Sequence, residues 1–136
     1  MITKGMNVVM TLEEFKSTLN TYGKDKILGI VFDNMRVWSL VVPKRDTSSL
    51  SYKPLRDDEG NIQFYTFDEL VTIDEANSSL VMREEQKGTS ARGRELVQWD
   101  IVTHIENIQG MRFIPKGITD PKQIQYIKEN WDPTND

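Results

Sequence analysis

The sequence predicts an α+β domain built on an antiparallel sheet of about five strands, with one N-terminal and one C-terminal helix. Three observations predict it. Apolar residues recur at helical spacing only near the two ends, at Leu12, Phe15, Leu19 and Tyr22 and again at Ile124, Ile127 and Trp131. The longest period-two run, residues 96–108, lies between them. No helical pattern alternates with the strand patterns, as parallel βαβ crossovers require, so neighbouring strands are expected to run antiparallel. At 136 residues the chain is expected to form a single domain over 1–136.

Taken in order, Thr11-Leu12-Glu13-Glu14 has the form of a capping box, and Gly23 is placed to end the helix that follows. The apolar stripe of this helix is expected to pack on the sheet. Residues 27–32 are nearly continuous apolar sequence, which suits a strand covered on both faces, and Gly29 inside it implies close approach by another group. Asp33-Asn34 is a tight turn leading into a return strand over 35–42, stopped by Pro43. Residues 44–61 read as a long connection rich in Ser, Pro, Asp and Gly, closing on the turn Asp58-Glu59-Gly60-Asn61.

Residues 62–67 read as a third strand, with Ile62 and Phe64 alternating against Gln63 and Tyr65. The stretch 68–79 is open between a helical turn and continued strand. Residues 80–86 and 95–108 form the arms of a second hairpin joined by a loop over 87–94. Gly110 breaks the long strand, and 111–114 add a short pairing segment before Pro115. Thr119 or Asp120 then caps a helix with Pro121 at its first position, running to about Trp131 and ended by Pro133.

Apolar residues make up 38% and charged residues 28% of the chain, and with three Trp, four Tyr and five Phe it is too aromatic to remain disordered. A net charge of -4 argues against a surface built throughout for nucleic acid, while leaving room for a local basic patch. The absence of cysteine excludes disulfides, thiolate zinc sites and a cysteine nucleophile. No apolar run approaches the roughly 20 residues that cross a bilayer. The expected location is cytoplasmic, with no membrane association.

Chemistry has few candidate places. In the 96–108 strand Val97, Trp99, Ile101, Thr103 and Ile105 share an apolar face, while Gln98, Asp100, Val102, His104 and Glu106 share the other. His104 is the only histidine, and with Glu106 and Asp100 it suggests proton transfer or a metal site, but the second histidine of most hydrolytic zinc sites is missing. The plainer reading is a surface histidine beside a screening carboxylate. The acidic run 57–61 lacks the alternating ligands and distal glutamate of a calcium loop and reads as a solvated turn. No cofactor and no metal are expected.

The 87–94 segment carries Lys87, Arg92 and Arg94 with two glycines and no acid, a composition suited to wrapping a phosphate. In a simple meander its loop would share one end of the sheet with Lys44, Arg45, Lys53 and Arg56, set against Asp46, Asp57, Asp58 and Glu59. The other end would collect Asp33, Asp68, Glu69, Asp74 and Glu75. Tyr52 could offer a stacking surface beside the cations. With no recognisable catalytic constellation, the leading expectation is a small non-enzymatic binding or accessory protein that acts through a protein-protein surface. The alternative is nucleic-acid or phosphoanion binding through Lys44, Arg45, Lys53, Arg56, Lys87, Arg92 and Arg94. A third reading, an enzyme using His104 and Glu106, ranks below both.

Overall fold

Thr11 and Glu14 start the first helix, α1 (Leu12–Tyr22), through a closed capping box. The Glu14 amide donates to Thr11 Oγ1 (3.1 Å) and the Thr11 amide to Glu14 Oε1 (3.3 Å). The computed structural model of the protein describes residues 2–3, 9–46, 53–90 and 93–133. The α1 stripe buries Phe15 and Leu19 completely, a contribution of about 1.5–3 kcal/mol for each side chain. Gly23 ends the helix at φ 96°, ψ 135°, donating to the Leu19 carbonyl (2.8 Å). A Cβ there would come within 2.7 Å of an Asp25 carboxylate oxygen.

The strands form two antiparallel sheets rather than the single sheet of about five that the sequence predicts. The first has the order β1 (Ile2–Thr3), β7 (Ile108–Phe113), β2 (Ile27–Phe32), β3 (Val37–Ser39). The second has the order β4 (Val71–Asp74), β5 (Ser79–Ser90), β6 (Gly93–His104). The division falls inside the 96–108 run. Ile105–Asn107 is a 3₁₀ turn, in which residues three apart come onto the same side, so Ile105 and Ile108 are both buried. A continuous strand would have put them on opposite faces. Gly110, expected to end a strand, sits within β7 and pairs with Thr3 on one side and Val31 on the other.

All six residues of β2 are buried, as expected for a strand covered on both faces. One face contributes Ile27, Ile30 and Phe32 to a core shared with Phe15 and Leu19 of α1, Leu80 and Met82 of β5, Ile108 and Met111 of β7. The group approaching Gly29 is Trp131: a Cβ at Gly29 would lie 2.9 Å from its ring and 2.9 Å from the Trp38 carbonyl oxygen. Trp131 follows the last helix, α3 (Pro121–Asn130), which Asp120 caps by accepting from the Lys122 amide (3.0 Å).

Three further segments depart from expectation. The return strand is limited to Val37–Ser39 and not 35–42. Met35 takes a left-handed φ of 65°, Asn34 Oδ1 accepts from the Arg36 amide (2.9 Å), and Ser39 Oγ accepts from the Val41 amide (3.2 Å), drawing those residues off the ladder. Residues 44–61 are not structureless in their described part. Isolated bridges join Pro43 to Phe64, Arg45 to Pro54 and Arg56 to Ile62, the amide of Leu55 donates to the Lys44 carbonyl (2.8 Å), and that of Lys44 donates to the Gln63 carbonyl (2.8 Å).

Residues 62–67 therefore make bridges rather than the predicted third strand, since Pro43 and Pro54 supply no amide to a continuous ladder. The open stretch 68–79 resolves into both readings in turn. Thr66 and Glu69 form a second capping box on the short helix α2 (Phe67–Leu70), and β4 begins at the next residue. The β5–β6 ladder runs without interruption from Ser79↔His104 to Ser90↔Gly93, so most of the expected 87–94 loop is strand.

Candidate functional site

The expected separation of acidic and basic ends does not arise. Lys44 and Glu69, assigned to opposite ends of a meander, lie 3.7 Å apart, and the Lys44 ammonium stands 5.6 Å above the Tyr65 ring. Lys24 is 3.1 Å from Asp68, and Lys16 pairs with Glu75, which holds its ammonium above the ordinary lysine value mainly by their hydrogen bond. Three of the acids assigned to the acidic end are thus matched by lysines. The physical cause is the pair of capped and turned segments at 66–78, which brings these acids alongside α1, its following turn and residue 44. Glu69 is held below the usual carboxylate range, first by the hydrogen bond from the Thr66 amide and next by that from the Thr66 hydroxyl, with Lys44 adding to it.

Among the seven cations nominated from sequence, Lys44, Arg45, Lys53 and Arg56 share the bridged excursion between β3 and α2. Arg56 donates to the Gly60 carbonyl (2.8 Å) and lies 3.9 Å from Glu129 of α3. Lys87 and Arg94 take backbone register positions opposite Leu96 and Thr89. The side chains of these two residues, with Arg92 and Tyr52 entirely, lie outside the described residues. In the acidic turn, Asp57 Oδ1 accepts from the amides of Glu59 and Asn61 (both 2.9 Å), so its carboxylate closes the turn.

His104 ends β6 with its side chain exposed, and Asp100 and Val102 are exposed on the same strand as the alternation predicts. Its Nδ1 is 3.1 Å from Ser79 Oγ, a contact the sequence did not signal because it depends on the hairpin register. The Ser79 hydroxyl donates its one proton to the Asn77 carbonyl (3.0 Å), which leaves it to accept from Nδ1–H. That direction is the reverse of what an activated serine nucleophile needs. Glu106 belongs to the 3₁₀ turn and not to the strand face on which it was expected beside His104. Among the described residues no three His, Asp or Glu side chains are grouped to hold a metal ion.

The remaining surface of consequence is the β5–β6 ribbon. β4 covers β5 only from Ser79 to Met82. Arg83 and Glu84 still border a groove against Val37, Trp38 and Val42. Past them β5 and β6 continue pairing with one another, and no further strand joins either edge among the described residues. Six residues on each strand, at about 3.4 Å per residue, make an arm roughly 20 Å long.

Compared with known protein families, curated proteins and solved structures, the chain gives no match in any of the three. Among the described residues, no helix is long and apolar enough to cross a membrane. The functional reading therefore rests on the geometry of the chain itself.

Proposed function

We propose that this is a small non-enzymatic binding or accessory protein of the cytoplasm, acting through a protein-protein surface, and that the outer part of the β5–β6 ribbon is that surface. One observation carries the reading: beyond Glu84 the ribbon has two strand edges with no partner strand among the described residues. Unpaired rows of backbone N–H and C=O groups are a template on which an extended segment can add as a further strand. An isolated two-stranded ribbon is only marginally stable in water, so a partner strand also stabilises the arm.

The test compares the full chain with a variant in which residues 85–98 are replaced by Asn-Gly, each immobilised and exposed to nuclease-treated lysate of the source organism. The full chain should retain a defined protein that the shortened variant does not. Retention of the same proteins by both, or of none by the full chain, overturns the reading.

The alternative, nucleic-acid or phosphoanion binding, draws support from the three cations at 87–94 on a two-stranded ribbon, an element of a size that enters a DNA major groove. It predicts duplex binding that weakens steeply with salt and is lost in R92A/R94A. Absence of binding to single- and double-stranded DNA and RNA at low salt removes it.

A further inference from the structure

A second site is independent of the ribbon. A cavity of about 250 Å³ lies between α3, the start of β2 and the segment leading into α2. Its apolar lining includes Ile27, Leu40 and Phe67, all buried, with Phe64 beside them. Four charges line the same space: Lys24, Asp25, Asp68 and Lys128. Lys24 and Asp68 neutralise one another at 3.1 Å, and the Lys24 ammonium also stands 5.7 Å above the Phe67 ring.

Lys128 and Asp25 remain. They attract one another without closing to an ion pair, and the Lys128 amine makes no hydrogen bond among the described residues. Burial pushes its ammonium below the ordinary lysine value, against the attraction of Asp25. A half-buried ammonium with no acceptor destabilises the fold, because it gives up hydration without replacement. A ligand that supplies the acceptor removes that penalty.

We infer that this cavity binds a zwitterionic α-amino acid with an apolar side chain, its carboxylate at Lys128, its ammonium at Asp25 and its side chain against Leu40, Phe64 and Phe67. A plain carboxylate leaves Asp25 unmatched, and a plain amine leaves Lys128 unmatched. The volume accommodates an amino acid.

The test titrates L-leucine and L-phenylalanine into the full chain, read by calorimetry and by amide shifts in nitrogen-15 spectra, with 4-methylpentanoate and isopentylamine as single-charge comparators. Saturable binding of at least one amino acid is expected, weakened about tenfold or more in Lys128→Met and in Asp25→Asn. Each comparator should bind more weakly than leucine. Helical circular dichroism and the melting transition establish that both variants are folded. No saturable binding at millimolar concentration, equal binding of a comparator, or binding unchanged in the two folded variants overturns the inference.

Discussion

Gly29 and Lys128 show at the residue scale how local fit carries energetic weight. At Gly29 the sheet surface is notched, and the Trp131 ring and the Trp38 carbonyl oxygen both stand where a Cβ would go, at 2.9 Å. Gly29→Ala is expected to cost about 1–3 kcal/mol, the usual penalty for overpacking. Denaturant unfolding of Gly29→Ala, Trp131→Ala and the double variant checks the cause. The two effects should be less than additive, because removing the ring removes one of the two close contacts, while that with the Trp38 carbonyl oxygen remains. The glycine was legible in sequence as a point of close approach; its partner was not, because a contact across a hundred residues leaves no local pattern.

Lys128 sits on an α3 position that periodicity could only describe as polar. Since its folded-state pKa is lowered by burial, the unfolded chain binds more protons between that value and the ordinary lysine value. The cost of the buried ammonium is thus fully present at neutral pH and fades as pH rises through the lowered value. Lys128→Met should unfold at a higher denaturant midpoint than wild type at pH 7, with the gap narrowing toward alkaline pH. A variant less stable at pH 7 contradicts this account.

The capping boxes carry the argument at the scale of elements. Thr11-Leu12-Glu13-Glu14 and Thr66-Phe67-Asp68-Glu69 are spelled alike, and both close. Only the first was legible as a helix, because an apolar stripe at helical spacing follows it. The second is followed by Val71-Thr72-Ile73, a β-branched run that turns the chain into β4 after one turn. Thr66→Ala should cost about 1 kcal/mol in chemical denaturation.

Glu69 titrates below its ordinary value, so its contribution is present above that value and is lost as pH falls through the lowered one. The stability gap between wild type and Glu69→Ala, followed by thermal melts across acidic pH, should close in the same direction. A gap that widens on acidification removes the cap as its source. The 105–107 turn is a third case: Ile105, Ile108 and Met111 recur every three residues, a signal at odds with alternation that the longer period-two run hid.

Across the whole molecule, the fold class and the end helices were legible, whereas the division into two sheets was not. Class follows from the order of periodicities; sheet number follows from which side of the chain each strand joins, and one 3₁₀ turn decides that here. The basic cluster fared similarly. Its members Lys44 and Arg56 are next to acids 25 and 73 positions away in numbering, Glu69 and Glu129, and linear charge counting cannot anticipate such matches.

The same view separates arm from core. Among the described residues the shared core takes Leu80 and Met82 from β5 and resumes at Ile105, and β4 pairs with β5 no further than Met82. Replacing 85–98 by Asn-Gly should therefore lower stability by less than about 1 kcal/mol and leave a single cooperative transition. A loss several times larger, read from denaturant melts, would place the arm inside the folding unit.

The position of β7 bears on how the chain comes to be folded. β7 lies between β1 and β2, yet it is the last strand in sequence, and both neighbours are complete long before it. During synthesis β2 emerges with apolar residues on both faces and one edge open until residue 113 follows. A chain halted in the β5–β6 region would present that sticky edge to other nascent chains. The first sheet cannot close until residues 108–113 have been made, and pairing over so long a sequence separation makes that closure slow.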